Sequence, residues 1–378
     1  MIPIAKPTLG EAEADAARAV ILSAWIAQGS EVEAFEREFA ASVGAPFACA
    51  VSSCTAALDL ALRAVGTRPG DEVVTVSHSF IAAANSIRNR GAEPIFVDVE
   101  PDTFNLDPDG LAAALTPRTR AILCVHQMGM PCDLSRILGI ARARGLPVIE
   151  DAACAAGSQI LIEDRWEPIG RPHGDVACFS FHPRKVITTG EGGMLTTANP
   201  EWDRQFRLLR QHGMDVLASV RHSAKQIVFE TYPTEGLNYR MTDIQAAIGR
   251  RQLERLVDVV GERRRLADRY RRLFDTRQSV GLPGEPAWAR SNWQSYCVRL
   301  RDNVNQRDFM QRLLDRGIAT RRGIMCAHRE PPYAAGSRPA LPESERAQDH
   351  CVLLPLFSQM SDTEQDQVVA AVREATDQ

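Results

Sequence analysis

Between Cys49 and Thr197 the chain alternates short apolar, β-rich runs with amphipathic stretches, and no other feature constrains its fold so tightly. The runs are Phe47–Val51, Glu72–Val76, Glu93–Val97, Ala121–Val125, Pro147–Glu150, Val176–Ser180 and Met194–Thr197. Helical periodicity fills the gaps at Thr55–Val65, Phe80–Arg88, Pro108–Leu115 and Leu134–Arg144. Strands alternating with helices predict an α/β domain on a largely parallel sheet covered on both faces.

A long helical stretch follows from about Thr242 to Phe274, with apolar residues at Ile244, Ala247, Ile248 and Leu253. Beyond it the pattern gives a strand at Ser295–Leu300, a helix near Gln306–Arg316 and a closing helix at Asp362–Ala375. This predicts a smaller α+β domain, and 378 residues exceed the usual size of a single core. The expected division is 1–250 for the large domain, N-terminal segment included, and 251–378 for the small one.

The net charge of -4 argues against a nucleic-acid partner. Arginines do gather from Arg250 to Arg272, but acidic residues interleave them at helical spacing, as on a solvated helix face. Nine scattered cysteines without a C-x-x-C pair fit free thiols in a reducing compartment, with no metal site and no disulfide framework. The N-terminus has no signal-peptide pattern and no apolar run is long enough to span a bilayer. The expectation is a cytoplasmic protein without a membrane partner.

Four segments carry chemistry. Val51-Ser-Ser-Cys-Thr-Ala-Ala-Leu58 is a strand end whose small residues open a helix, a place where free N–H groups bind phosphate, although on this segment alone ordinary capping is the better explanation. Val148-Ile-Glu-Asp-Ala-Ala-Cys-Ala-Ala-Gly157 ends an apolar strand in two carboxylates on the edge where open α/β sheets bind ligands; a helix cap is the alternative. Ser180-Phe-His-Pro-Arg-Lys185 leads into the glycine-rich turn Gly190-Glu-Gly-Gly193. Lys185 is one of only three lysines, with Lys6 and Lys225, and a primary amine can form a Schiff base with a carbonyl, which a guanidinium cannot; taken alone, a solvated turn lysine before a glycine-turn hairpin is the readier explanation. Glu235-Gly-Leu-Asn-Tyr-Arg-Met-Thr-Asp243 opens the long helix, and a plain cap accounts for it alone. Taken together and in order, the segments suit a pyridoxal phosphate enzyme, which requires a phosphate cup, an acid for the ring nitrogen, a Schiff-base lysine and something flat to sandwich the ring.

With these residues in view, the chain resembles the DegT/DnrJ/EryC1/StrS family, aminotransferases of the aspartate aminotransferase fold (fold type I). The resemblance rests on Ser53-Cys-Thr-Ala-Ala-Leu58, Ser79-Phe-Ile-Ala-Ala-Ala-Asn85, Phe96-Val-Asp-Val99, Glu150-Asp-Ala-Ala153, Ser180-Phe-His-Pro-Arg-Lys185, Gly190-Glu-Gly-Gly193, Arg210-Gln-His-Gly213 and Gly236-Leu-Asn-Tyr-Arg-Met-Thr-Asp243, with later matches at Gly317-Ile318 and Leu353-Leu-Pro-Leu356. It implies an α/β large domain with a mostly parallel mixed sheet that binds pyridoxal 5'-phosphate, carried as pyridoxamine 5'-phosphate between half-reactions. It further implies that Lys185 forms the Schiff base and Asp151 pairs with the ring nitrogen. Phe80 would stack on the ring, while Cys54, Thr55 and Ser180 hold the phosphate. Asn238 would reach that phosphate from a neighbouring subunit, making a homodimer with shared active sites. His182 and His328 are expected substrate contacts.

Two positions depart from the family pattern: Cys54 stands where glycine is usual, and Cys154 where glutamine or histidine meets the cofactor's phenolic oxygen. A thiol is a poor donor there. The implied activity is transfer of an amino group from glutamate or glutamine to a ketone, most readily a nucleotide-linked keto sugar. Alternatives are a keto-cyclitol or other secondary-metabolite ketone, and a cofactor-binding regulator without turnover. The family's dehydratase branch has histidine in place of the lysine, so Lys185 speaks against it. Acceptor choice is expected in the loops 221–232 and 321–332.

Overall fold

The structure, a computed structural model, describes residues 1–216, 224–275, 279–334 and 340–376; the first three residues of the loop 221–232 lie outside them. Helices α1 (Glu11–Ser23) and α2 (Ser30–Val43) precede β1 (Phe47–Val51), which feeds α3 (Cys54–Ala64). The chain continues through β2 (Glu72–Val76), β3 (Glu93–Val97), β4 (Thr119–Val125), β5 (Val148–Asp151), β6 (Gln159–Ile162), β7 (Arg165–Pro168), β8 (Val176–Ser180) and β9 (Gly193–Thr197). Seven of these form one sheet in the order β1-β9-β8-β5-β4-β2-β3.

The pairs β2–β3, β2–β4, β4–β5 and β5–β8 are parallel, and β9 runs antiparallel to both β8 and β1. The sheet is therefore mixed, yet β1, β2, β4, β5 and β8 all point the same way. Their carboxyl ends share one edge, the edge at which such sheets bind ligands. Every residue of β2 and β9 is buried, and β1, β4 and β8 each leave only one residue less than buried, as a sheet covered on both faces demands.

Helix α2 shows how the sequence fixes that edge. Its apolar residues recur at helical spacing, and Phe35 and Phe39 meet Phe181 with ring centroids 5.3 and 5.7 Å apart. Phe39 also packs edge-on to Phe179 at 4.9 Å, so the end of β8 is wedged in place. Asp243 caps α2 from 214 residues away: its carboxylate accepts the N–H groups of Gly29 (2.7 Å), Val32 (3.1 Å) and Glu31 (3.3 Å).

The long helical stretch divides. Helices Asp243–Glu254 and Leu256–Asp275 are separated at Arg255, whose φ of -103° and ψ of 2° leave the helical region. The second helix sends Leu266, Tyr270 and Phe274 into a separate core with Tyr296, Val298, Phe309 and Val368. Strand Tyr296–Arg299 pairs antiparallel with Cys351–Leu354, which also pairs with Arg321–Arg322. Ile2 belongs to this second core, and its N–H donates to the Gly317 carbonyl at 2.7 Å.

The β6–β7 hairpin was absent from the sequence pattern. Its turn residues Glu163 and Asp164 both take positive φ, 46° and 63°, in a turn that ordinarily carries Asn-Gly or Asp-Gly. Among the described residues no helix is long and apolar enough to cross a membrane.

Candidate active site

Lys185 lies on the turn after β8, its backbone N–H donating to the His182 carbonyl at 2.8 Å. Asp151 ends β5, beside Cys178 of β8 and Val125 of β4 in register. Cys154 sits three residues beyond. The three converge: Lys185 Nζ is 3.0 Å from Cys154 Sγ, and Cys54 Sγ is 3.9 Å from Asp151 Oδ1. Cys54 also approaches the Cys178 carbonyl oxygen, at 3.6 Å. A cluster of charge and sulfur thus gathers at the carboxyl ends of β1, β5 and β8, with Asp151 buried and Cys54, Cys154 and Lys185 half-buried.

The phosphate-cup segment follows from α3. Ser53 caps the helix, its hydroxyl oxygen accepting the Ala56 N–H at 3.1 Å. The first N–H groups of a helix have no partner inside it, so those of Cys54 and Thr55 face outward with the helix dipole behind them. Gly193 makes the fit possible. It lies in register with both Val51 and Ser180, and a Cβ there would come within 2.5 Å of the Ser53 carbonyl and 2.7 Å of Cys54 N. Only glycine lets that turn seat against β9. Ser180 is half-buried at the end of β8, and Thr55 is exposed.

Burial raises the Asp151 carboxyl above the usual range; the Ala153 N–H, donating to Oδ1 at 3.0 Å, and the nearby Lys185 and His126 oppose that rise without cancelling it. Burial works in the other direction on Lys185, but Cys154, Cys54 and Asp151 around it outweigh burial and leave its ammonium raised. The Cys54 thiol is pushed well up by burial and by the negative charge of Asp151.

Beneath Asp151 lies a pair that sequence reading overlooked. His126 Nδ1 accepts the Cys132 N–H at 3.0 Å, so Nε2–H is the donor to Glu150 Oε2 at 2.9 Å, and both side chains are wholly buried. Glu150 Oε1 accepts the Gly174 N–H at 2.8 Å, completing the satisfaction of a buried carboxylate. The available signal was the position of His126 at the carboxyl end of an apolar strand, the same signal that singled out Glu150 and Asp151. Asn292 and Gln294 had no such signal. Asn292 Nδ2 donates to the carbonyls of Cys154 and Ala156, both at 2.8 Å, and Gln294 Nε2 donates to that of Arg184 at 2.6 Å.

The remaining candidates are placed as follows. Phe80, on the segment after β2, is 71% exposed at the sheet edge. Asn238 is exposed and receives Arg240 Nε at 3.1 Å; its neighbour Tyr239 accepts the Ser52 N–H at 2.8 Å, next to the cup. His182 is half-buried, with Nδ1 accepting the Arg184 N–H at 3.2 Å and no partner for Nε2 among the described residues. His328 is only 2% exposed. Its N–H donates to Ser77 Oγ at 3.0 Å, that hydroxyl lies 2.6 Å from Nδ1, and Nε2 faces Glu345 at 3.1 Å. Both of its ring nitrogens are occupied within the chain.

Pyridoxal phosphate fits these residues. Asp151 is a buried carboxylate with no cationic ion-pair partner among the described residues, which suits a protonated ring nitrogen. The amine lies on the same edge as the anion-binding end of α3.

The comparisons with known proteins agree with this chemistry. The sequence profile of the DegT/DnrJ/EryC1/StrS aminotransferase family matches residues 7–373. The spore coat polysaccharide biosynthesis protein SpsC of Bacillus subtilis (strain 168) is 38% identical over 380 residues, covering 99% of this chain and 96% of SpsC. The crystal structure of the aminotransferase TlmJ from Streptoalloteichus hindustanus superposes with a TM-score of 0.90 at 37% identity, over 99% of this chain and 98% of TlmJ. The PLP form of Spr1654 from Streptococcus pneumoniae does so with a TM-score of 0.91 at 27% identity, over 100% and 98%. The chain therefore belongs to the DegT/DnrJ/EryC1/StrS family of sugar aminotransferases and is a pyridoxal phosphate-dependent enzyme of fold type I.

Proposed function

We propose that the enzyme moves an amino group from glutamate or glutamine to the keto group of a nucleotide-linked sugar, with Lys185 as the residue that bonds the cofactor. The observation that carries this reading is the meeting of Lys185, Asp151 and the α3 N-terminus on one sheet edge. Bound pyridoxal phosphate supplies an aldehyde that carries the amino group and a ring that takes up electrons from the substrate carbon.

The chain's own groups do the rest. Lys185 would bond the cofactor's aldehyde and, when free, would move a proton to and from the substrate carbon. Asp151 would accept the ring N–H and so keep that nitrogen protonated. Cys54, Thr55 and Ser180 would hold the phosphate, and Phe80 would contact the ring. Cys154 stands beside the lysine, where it offers a thiol in place of the family's amide or imidazole. His182 Nε2 is left to meet substrate. His328, with both nitrogens taken, acts by holding the Ser77–Phe80 segment in place.

The exposed Asn238 fits a homodimer in which each subunit completes its partner's phosphate site. A division into two domains near residue 250 and a cytoplasmic setting belong to the same reading. Two large cores fit two domains, although Ile2 packs in the second core and Leu256 and Val259 in the first, so residue 250 is not itself where they part.

The test is Lys185→Ala. Turnover is expected to vanish while the circular dichroism spectrum stays unchanged, and borohydride reduction of the loaded parent should leave cofactor on the peptide containing Lys185. Full steady-state transamination by the variant would overturn the assignment. Screening the pyridoxamine-loaded enzyme against keto-sugar nucleotides and keto-cyclitols identifies the acceptor.

A further inference from the structure

The contact between Lys185 Nζ and Cys154 Sγ is a donor–sulfur contact of 3.0 Å between two half-buried side chains. It is held from both sides. Asn292 Nδ2 pins the Cys154 carbonyl at 2.8 Å, and Gln294 Nε2 pins the carbonyl of Arg184, one residue before the lysine, at 2.6 Å. Asn292 and Gln294 are themselves nearly inaccessible, 0% and 8% exposed, and Gln294 N–H donates to Asn292 Oδ1 at 2.8 Å. One short segment therefore clamps both backbones, and the amine and the thiol have little freedom to drift apart. This is a second use of the lysine that amino-group transfer does not require.

We propose that Cys154 and Lys185 form a peroxide-sensitive covalent pair whenever the lysine is not occupied by cofactor. The oxidant is a hydroperoxide, which the chain does not supply. In the first step the Cys154 sulfur attacks the peroxide oxygen: an S–O bond forms, the O–O bond breaks, and the departing oxygen takes a proton to leave as water. The sulfur is oxidised by two electrons and the peroxide reduced by two. The negative charge develops on the departing oxygen, and the Lys185 Nζ–H group beside the sulfur is the donor placed to meet it. In the second step Lys185, having first released its ammonium proton to solvent, attacks that sulfur as the neutral amine: an S–N bond forms, the S–O bond breaks, and the hydroxyl leaves with a proton from the attacking nitrogen as water. The sum is thiol plus amine plus hydrogen peroxide, giving the sulfur–nitrogen link and two waters.

Geometry also says which thiol reacts. Cys54, the other half-buried cysteine of the site, makes its direct contacts with the Asp151 carboxylate and the Cys178 carbonyl, whereas Cys154 is the thiol in contact with the amine. The remaining cysteines are buried. An enzyme that has lost its cofactor would thus be locked closed by oxidation and reopened by a thiol reductant, with its essential lysine capped meanwhile.

Only the protective half of the proposal rests on the proposed function, because it requires Lys185 to be the residue the cofactor occupies. The test treats the full-length chain with hydrogen peroxide, once freed of cofactor and once loaded, and maps the digests by mass spectrometry. The cofactor-free chain should yield the Cys154 and Lys185 peptides joined and lighter than their sum by two hydrogens. Dithiothreitol should separate them, Cys154→Ser should abolish the link and Cys54→Ser should retain it. The loaded chain should yield none. If the cofactor-free chain gives no link, or a link to Cys54, while borohydride still places cofactor on Lys185, the pair is refuted and the functional reading stands. A link of equal yield in both states supports the pair and refutes protection, and with it the occupation of Lys185.

Discussion

Gln294 Nε2 donates to the carbonyl oxygen of Arg184 at 2.6 Å, so the peptide preceding Lys185 is held by a residue 110 positions further along the chain. Replacing Gln294 with alanine leaves that carbonyl without this donor and frees the lysine turn, at a cost of about 1–3 kcal/mol. Cofactor affinity should fall by roughly tenfold, the equivalent of about 1.4 kcal/mol, in a fluorescence titration of the variant. Unchanged affinity would show that the turn is held by β8 alone.

Asp151 carries a different expectation. Asp151→Asn keeps the shape of the side chain but removes the negative charge that a protonated ring nitrogen requires. Turnover should drop about 10²- to 10³-fold, in the range found for losing one preorganised electrostatic contact. Covalent attachment at Lys185, read by borohydride trapping, should persist.

Stability in acid should depend on Glu36. Burial raises its carboxyl, but the charges of Arg210 and Arg207 outweigh burial and leave it below the usual range. Glu36 Oε2 is 2.6 Å from Arg207, Oε1 pairs with the buried Arg210, and Oε1 also accepts the Ala50 N–H at 2.9 Å. With a depressed folded-state pKa, its contribution is present above the unfolded value near 4.5 and is lost as pH falls through the folded one. Glu36→Gln should destabilise by about 3–5 kcal/mol at neutral pH, because it strands buried guanidinium charge. Urea melts of the variant should show a shallower acid limb than the parent.

His78 is a base where Glu36 is an acid, and its buried form is the neutral one. Burial lowers its pKa from 6.5 to about 4, and neither ring nitrogen has a protein partner among the described residues. Above pH 6.5 it is neutral folded or unfolded and contributes nothing to the pH dependence. Below that the unfolded chain takes up the proton and the folded one does not, so stability falls until about pH 4, by about 3 kcal/mol in all. His78→Gln should remove this part of the pH dependence in melts between pH 7 and 4.

Much of the frame was legible because it depends on local chemistry. Four strands, Phe47–Val51, Glu72–Val76, Glu93–Val97 and Val176–Ser180, fall where apolar runs predicted them. Buried strands cannot hide their composition. Lys185 and Asp151 came from chemistry-bearing residues at strand ends, and the fold brings both to one edge. The parts that escaped depend on partners far along the chain. Nothing near Asn292 or Gln294 announces the carbonyls of Cys154 and Arg184. The antiparallel direction of β9 is likewise a matter of pairing, and an apolar run reads the same in either direction. The hairpin at Glu163-Asp164 shows a third kind of miss, a left-handed turn built without the residues that usually mark one.

The capping of α2 by Asp243 has a consequence for how the molecule is made. A ribosome releases Gly29 and Val32 long before it reaches the residue that satisfies their N–H groups. β1 likewise waits for β9, and Ile2 waits for Gly317. Emergence in order from the N-terminus therefore cannot complete either core in turn, and the first fifty residues must stay unpaired through most of synthesis. Nascent chains stalled before Asp243 should remain sensitive to protease at α2, while chains stalled well beyond it should not.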